Sequence, residues 1–215
     1  DFTPFTRCKA VLNLWAGVED ITGNPTLKVP LTRMVDHGLT RGMVEWVVGH
    51  TLRHHLGMDA HLNGQDGLWR EAIPPLAENR RVTLLGLGAL GAACADALKV
   101  LGFPIRGYSR QQKTIAGVET FSGIEGLQAA LEGAEIVILL LPQTQQTENI
   151  LDAKTLSFLA PGAVVINPGR GPLIDDDALM AALDSGALSH ATLDVFRREP
   201  LPCAHRFWAH PKVTV

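Results

Sequence analysis

A glycine-rich turn between an apolar segment and an alanine-rich segment constrains the fold of this chain more than any other feature. The apolar segment 82–86 runs into Gly86-x-Gly88-x-x-Gly91, and a helical pattern follows over 89–101. This order predicts a parallel strand that turns tightly into a helix whose N-terminus faces a dinucleotide pyrophosphate. In that geometry Gly86 permits the turn, Gly88 lets the phosphate approach the backbone, and Gly91 lets helix and strand pack closely. The helix dipole and the exposed amides favour an anion at this point.

The composition is that of an ordinary globular protein and argues against several kinds of partner. The chain has 215 residues, 46% of them hydrophobic and 19% charged, which is enough for one large or two small domains. A net charge of -3 without a basic block makes nucleic acid a poor partner. The longest aliphatic run, 136–141, is too short to span a bilayer, and no signal peptide is visible at the start. We therefore expect a cytoplasmic protein without membrane contact.

The three cysteines indicate a reducing compartment. Cys8, Cys94 and Cys203 are far apart and odd in number. They show neither a disulfide framework nor the spacing of metal ligands, so we expect no metal site.

From Arg81 onward, predicted strands and helices alternate. We predict strands at 82–86, 104–108, 135–141, 163–167 and 191–195, a sixth that begins at 213, and helices at 89–101, 124–131, 152–159 and 175–185. The run 135–141 is apolar on both faces, which is typical of a parallel sheet covered by helices on both sides. The repetition predicts an α/β fold with a Rossmann-type doubly wound parallel sheet.

The first third of the chain follows a different pattern. We predict a buried strand at 10–14, a second strand at 30–35 and a strong helix at 40–56. A polar, glycine-rich stretch follows, and Ile73-Pro74-Pro75 is predicted to be a linker into the second part. The first part has too few strands to make an obvious closed domain alone.

Two later motifs give the glycine turn a more specific meaning. They are Ile166-Asn167-Pro168-Gly169-Arg170-Gly171 and the segment Leu193-Asp194-Val195-Phe196-Arg197-Arg198-Glu199-Pro200. In this order and spacing the chain resembles the D-isomer-specific 2-hydroxyacid dehydrogenases. The segments 14–18 and 35–42 are similar to the glyoxylate/hydroxypyruvate reductase A branch of that family. The resemblance implies part of a smaller flavodoxin-like substrate domain at 1–73 and an NAD(P)-binding Rossmann domain at 74–215.

The resemblance also implies a reaction and assigns residues to it. The reaction is the reduction of a small 2-keto acid, glyoxylate or hydroxypyruvate, by hydride from a nicotinamide. Arg170 matches the family arginine that holds the substrate carboxylate and carbonyl oxygen, a role that suits the guanidinium fork. Glu199 matches the glutamate that hydrogen-bonds a catalytic histidine and raises its pKa. The alternative for Arg170 is a cap at a sheet edge. The alternative for Glu199 is a solvated Arg-Arg-Glu-Pro turn, which composition alone favours.

Further positions match the family's substrate and cofactor contacts. The backbone amides of Gly17 and Val18, next to Ala16, match those that bind the substrate carboxylate. Trp15 would form a wall of the same pocket, although a lone aromatic is equally a core residue. The expected cofactor contacts, besides the three glycines, are Ala89, Leu90, Leu141, Pro142, Pro168 and Asp194, of which Asp194 matches a contact to the nicotinamide carboxamide.

The end of the second predicted strand bears on which cofactor is bound. An NAD-specific fold usually places Asp or Glu there, to bind the ribose 2′-hydroxyl. Here the sequence reads Gly107-Tyr108-Ser109-Arg110, without an acid. Ser109 can hydrogen-bond a 2′-phosphate and Arg110 can neutralise it, which favours NADP over NAD. The alternative is a surface loop with an incidental arginine.

The family's catalytic histidine has no counterpart in this sequence. In the family it follows a Thr-Val-Thr-Pro-His segment, and the chain stops at Val213-Thr214-Val215. We therefore expect a chain shortened at both ends, which binds cofactor at best and catalyses poorly or not at all. His205 and His210 match ordinary loop positions, and His54 and His55, at a helix end, are predicted to be surface or interface residues.

Other functions are also consistent with parts of the pattern. One is a nucleotide-sensing, catalytically inactive NAD(P)-binding relative, against which the presence of Arg170 and Glu199 argues. Another is a methyltransferase with a similar glycine turn, for which the motifs at 166–171 and 193–200 have no purpose. The helix 40–56 matches the dimer-forming region of the family, so the resemblance implies a homodimer.

Overall fold

The computed structural model describes residues 1–215, apart from the side chain of Asp20. Within this described chain there are nine strands: β1 (Val11–Leu12), β2 (Leu31–Thr32), β3 (Val82–Leu85), β4 (Ile105–Tyr108), β5 (Val118–Phe121), β6 (Ile136–Leu139), β7 (Ala163–Asn167), β8 (Leu188–Leu193) and β9 (Val213–Thr214). β1 and β2 form a small parallel sheet. The other seven form a parallel sheet in the order β5-β4-β3-β6-β7-β8-β9.

The helices connect these strands and cover both faces of the large sheet. They are α1 (Glu19–Thr22), α2 (His37–His55), α3 (Met58–Asn63), α4 (Ala89–Val100), α5 (Gly123–Leu131), α6 (Ala153–Leu156) and α7 (Asp176–Asp184). The strand order reverses between β3 and β6, which is the arrangement of a doubly wound sheet. The predicted α/β, Rossmann-type fold is confirmed.

Two apolar clusters, one on each face, hold the large sheet between its helices. Val82 and Leu84 of β3 lie in the cluster that includes residues of α2 and α4, whereas Leu85 lies in the cluster on the opposite face. Alternation of side chains along a strand produces this division. Each fully buried aliphatic side chain contributes about 1.5–3 kcal/mol relative to an exposed one. The predicted both-sided apolar character of the central strands is therefore the source of the core.

Several predicted boundaries were wrong, each for a local reason. The edge strand β5 was missed because its side chains are only partly buried and it lacks an apolar run. The helix after Asp152 ends at Leu156 rather than at Leu159, and the Asp152 carboxylate caps it by accepting from Thr155 N at 2.8 Å. β8 begins at Leu188, three residues before the predicted start.

The first predicted strand is not buried. β1 has two residues and pairs with β2, and the side chains of Leu12 and Leu14 are 72% and 76% exposed. No described element packs over these two side chains, so they form an exposed apolar surface.

Helix α2 packs against the large sheet and α4, and this corrects the prediction for two histidines. Asp36 caps the helix by accepting from Leu39 N at 2.9 Å, so that it begins at His37 rather than Thr40. His55 is only 6% exposed. The neighbouring His54 places Nε2 2.8 Å from Thr192 Oγ1 of β8. Both rings lie inside the protein because the face of α2 that carries them is the one that meets the sheet.

Candidate functional site

The glycine turn lies at the carboxyl edge of the sheet, where the strand order reverses. Gly86 has a φ of 113°, which an L-residue rarely adopts, and a Cβ there would stand 2.5 Å from the carbonyl carbon of Leu140. A Cβ at Gly91 would overlap the carbonyl oxygen of Gly86. The turn and the start of α4 are therefore close-packed against β3 and the end of β6, as the motif predicted.

The N-terminus of α4 fits a pyrophosphate. Gly88 is its N-cap residue and no side chain caps the helix there. A Cβ at Gly88 would meet nothing within 4 Å, so open space lies in front of the turn. The amides of Ala89 and Leu90 donate to no atom among the described residues. An uncapped 12-residue helix with free amides and room beside them is a site for an anion.

The loop after β4 carries two exposed cations close to that turn. Arg110 is exposed, and Lys113 Nζ donates to the carbonyl oxygen of Leu87 at 2.5 Å. Ser109 is buried, and its Oγ donates to the carbonyl oxygen of Gln111 at 2.7 Å. The hydroxyl hydrogen of Ser109 is therefore already used in a hydrogen bond within the loop. The positive charge beside the turn comes from Arg110 and Lys113.

Lys113 was not among the predicted site residues. Its signal in the sequence is a second cation three residues after Arg110, in a loop that follows the second strand. The link to the glycine turn depends on the fold of the loop and is not visible in the spacing.

Arg170 lies beside the segment that carries Gly17 and Val18. Its Nε stands 3.2 Å from Glu19 Oε1, and its Nη2 donates to Glu19 Oε2 at 3.4 Å. A Cβ at Gly17 would overlap Nη2, so the guanidinium and the Gly17 backbone are in contact range. The amides of Gly17 and Val18 donate to no acceptor within the described chain. The structure thus brings together the three groups that the resemblance assigns to the substrate carboxylate.

Asn167 fixes the loop that carries Arg170, and sequence reasoning did not assign it a role. Its side chain is 1% exposed, donates from Nδ2 to the carbonyl oxygen of Arg170 at 2.9 Å, and accepts from Gly169 N at 3.1 Å. A buried amide that bridges both directions of a short loop holds that loop in one conformation. A polar residue at the end of an otherwise apolar strand was the available signal.

The loops after β7 and β8 meet backbone to backbone. A Cβ at Gly171 would overlap the carbonyl group of Phe196. Glu199 is exposed, and its Oε1 accepts from Phe196 N at 2.9 Å. No histidine among the described residues hydrogen-bonds Glu199. Asp194 is exposed, and its amide donates to the carbonyl oxygen of Asn167 at 3.0 Å, so the two strand ends are held side by side.

The remaining predicted contacts are spread along the same edge with different exposure. Leu141 and Pro168 are buried, so that mainly their backbone can face a ligand, whereas Pro142 is exposed. Trp15 is 77% exposed and is therefore not a core residue. Its carbonyl oxygen accepts from Met34 N at 3.0 Å, which ties the segment before Gly17 to the end of β2.

The described residues show neither a metal site nor a membrane-spanning helix. No group of three or more His, Cys, Asp or Glu side chains there is arranged to hold a metal ion. None of the described helices combines the length and the apolar character needed to cross a membrane.

Comparison with known proteins identifies the family of this chain. Residues 47–215 match the NAD binding domain of the D-isomer specific 2-hydroxyacid dehydrogenases. The chain is 41% identical over 217 residues to glyoxylate/hydroxypyruvate reductase A of Serratia proteamaculans (strain 568), covering 97% of this chain and 69% of that protein.

Two crystal structures extend the comparison to the fold. A D-isomer specific 2-hydroxyacid dehydrogenase from Xanthobacter autotrophicus Py2, in complex with NADPH and MES, is 42% identical with a TM-score of 0.96, covering 100% of this chain and 69% of that one. An NADPH-dependent glyoxylate/hydroxypyruvate reductase from Sinorhizobium meliloti, in complex with NADP and sulfate, is 38% identical with a TM-score of 0.91, covering 96% and 67%. The chain belongs to the D-isomer specific 2-hydroxyacid dehydrogenase family.

Proposed function

We propose that this protein reduces a small 2-keto acid, glyoxylate or hydroxypyruvate, to the 2-hydroxy acid with NADPH. The observation that carries the proposal is the position of Arg170. Its guanidinium stands beside the amides of Gly17 and Val18, which have no acceptor among the described residues, at the sheet edge that also carries the glycine turn. A cation and two free amides form a site for a carboxylate. The names of the relatives at 41% and 38% identity support the same substrates.

NADPH supplies the hydride when it is bound. The residues that would hold it lie along the carboxyl edge of the sheet. The free amides at the start of α4, next to Gly88 and Gly91, would bind the pyrophosphate. Backbone around Leu141 and Pro168, together with Asp194 and the exposed Pro142, would line the nicotinamide half.

The positive charge after β4 supports NADP over NAD. Arg110 is exposed and Lys113 is held next to the turn by the carbonyl oxygen of Leu87. No acidic side chain follows this strand directly. We propose that Arg110 and Lys113 neutralise the 2′-phosphate. Ser109 would stabilise their loop through its hydrogen bond to the carbonyl oxygen of Gln111.

The remaining catalytic assignments rest on the resemblance. Arg170 would hold the carboxylate and keto oxygen while hydride is delivered, because a planar guanidinium presents paired donors to both. Glu199 matches the residue that orients the family's proton-donating histidine, which has no counterpart among residues 1–215. Residues 1–73 would then be part of the substrate domain and residues 74–215 the cofactor domain.

A cofactor and substrate comparison tests the proposal. The purified enzyme is assayed with NADPH and NADH against glyoxylate, hydroxypyruvate and pyruvate. We expect NADPH to be preferred, and the double variant Arg110→Ala/Lys113→Ala to weaken NADPH binding while leaving NADH binding within about twofold. Wild-type NADPH binding without turnover of any keto acid would instead support a nucleotide-sensing relative.

We propose further that the enzyme is a cytoplasmic homodimer. The three cysteines are free, as in a reducing compartment. The segment after α2 exposes an apolar series, Leu62, Leu68, Trp69 and Ile73, and Trp69 is 95% exposed. Such a surface is typical of an interface between subunits. Sedimentation of the wild type and of Trp69→Ser measures this, and we expect the variant to dissociate at higher concentration.

A further inference from the structure

The pair between Glu19 and Arg170 joins two distant parts of the chain inside the candidate substrate site. Glu19 is the first residue of α1 and directly follows Gly17 and Val18. Arg170 follows β7, which is 151 residues later. The two side chains are 28% and 35% exposed, so the pair is partly shielded from water.

The geometry of the pair uses one edge of the guanidinium. Nε stands 3.2 Å from Glu19 Oε1 and Nη2 donates to Glu19 Oε2 at 3.4 Å. On the other side, Nη1 donates to the carbonyl oxygen of Gly169 at 2.7 Å. A guanidinium has five N–H donors. Nε and one Nη2 donor lie on the side of Glu19 and one Nη1 donor on the side of Gly169, which leaves one donor on Nη1 and one on Nη2, on the adjacent Nη1–Nη2 edge.

The carboxylate of Glu19 is suited to hold this position at neutral pH. Partial burial opposes its ionisation, but hydrogen bonds from its own amide and the charge of Arg170 outweigh burial and keep the pKa of Glu19 below its usual value. The charged form therefore persists without substrate. A second anion does not need to replace it, because two guanidinium donors remain unused.

We infer that Glu19 is a positioning residue for the keto-acid reduction, which holds Arg170 by one edge and leaves the Nη1–Nη2 edge free for the substrate carboxylate and keto oxygen. The inference rests on the proposed function and adds to it a residue to which the resemblance assigned no role. Gly17 takes part because a side chain there would push into both Nη2 and the Glu19 carboxylate.

The pair also predicts what its loss does. Without Glu19, Asn167 still holds the backbone carbonyl of Arg170, but the guanidinium keeps only the hydrogen bond from Nη1 to the carbonyl oxygen of Gly169 and can rotate about it. A partly exposed ion pair is worth up to about fivefold in an equilibrium constant, and misplacement of a binding group costs up to about 100-fold. We expect Glu19→Ala to weaken binding of a keto-acid analogue about tenfold.

Binding of oxamate, an unreactive keto-acid analogue, tests this by calorimetry on the enzyme saturated with NADPH. We expect Glu19→Ala and Glu19→Gln to raise the oxamate Kd about tenfold, Glu19→Asp to recover part of the affinity, and NADPH affinity to stay within twofold. Glu125→Ala, which removes an exposed carboxylate on α5, is the matched control and should bind oxamate like the wild type. In steady-state assays the loss should fall on KM more than on kcat.

A second background shows whether Glu19 acts through Arg170. In Arg170→Lys the point charge has no planar edge to orient, so adding Glu19→Ala should change the oxamate Kd by less than twofold. Tighter oxamate binding by Glu19→Ala, or an equal tenfold loss in the Arg170→Lys background, would overturn the inference. Wild-type enzyme that binds NADPH but neither binds oxamate nor reduces glyoxylate would instead refute the proposed function.

Discussion

Mild acid is expected to weaken the packing of α2 against the large sheet, because the imidazole of His54 is neutral in the folded protein. Its Nε2 lies 2.8 Å from Thr192 Oγ1, and its ring centroid is 5.0 Å from that of His190. Burial, followed by the nearness of His190 and Arg53, lowers the pKa of His54 from 6.5 to about 3, and the opposing charge of Asp59 does not compensate. Protonation of His54 would place a cation beside Arg53 and the His190 ring in a partly dry interface.

The size of the effect follows from linkage between protonation and folding. A histidine whose pKa falls on folding contributes its full stability above the unfolded pKa and loses it as pH drops below that value. With an unfolded pKa of 6.5 and a folded pKa of about 3, His54 loses about 2 kcal/mol of stability between pH 7.5 and pH 5. That corresponds to a fall in Tm of about 4–8 °C for a domain of this size. His50, His55 and His190 shift in the same direction and add to the loss.

Thermal unfolding followed by circular dichroism at both pH values measures this loss. His54→Asn keeps a hydrogen-bonding group near Thr192 but cannot be protonated, so it should lose about 2 kcal/mol less than the wild type on acidification. His61→Asn replaces an exposed histidine on α3 and should follow the wild type. If wild type and His54→Asn lose the same stability between pH 7.5 and pH 5, the assignment of a buried neutral imidazole is wrong.

Three buried positions give independent tests of the packing. Asn167→Ala leaves a buried amide and the carbonyl of Arg170 without partners, so urea titration should show a loss of about 2–5 kcal/mol, and a loss below 1 kcal/mol would contradict the bridge. Gly91→Ala pushes a methyl group into the Gly86 carbonyl, so fluorescence titration should show much weaker NADPH binding, and wild-type affinity would count against the close approach. Burial raises the pKa of the Cys94 thiol to about 12, so an aromatic disulfide reagent should modify it only after unfolding, in contrast to the two other cysteines.

The parts of the fold that were predictable are those whose constraint is local. Three glycines at fixed spacing mark the turn after β3: a Cβ at Gly86 or Gly91 would collide with backbone, and the absence of a side chain at Gly88 leaves open space in front of the turn. The continuous apolar runs of β6 and β7 predicted central strands because both faces are buried. β5 lacks such a run, since it lies at the edge and packs on one neighbour, so its polar sequence carried no strand signal.

The candidate site shows the same limit more sharply. Ser109, Arg170 and Asp194 each follow a strand. Because parallel strands end at one edge of the sheet, the predicted strands were enough to predict that these three residues lie along the same edge. Glu19 has no such signal, because it lies outside the large sheet and meets Arg170 only through the tertiary fold. Two residues that far apart in sequence show no periodicity or spacing from which their ion pair could be predicted.

Residues at strand ends and partners such as Glu19 therefore have different roles in the site. Strand ends fix where a ligand binds, since their positions follow from the direction of the sheet and the burial of its core. The state of a group at that edge is set in part by a partner from elsewhere in the fold, as Glu19 orients the Arg170 guanidinium. Substitutions at strand ends should therefore weaken binding most, whereas substitution of such a partner should change affinity to a smaller extent and leave the location of the site intact. The contrast between Arg170→Lys and Glu19→Ala is where these two effects separate.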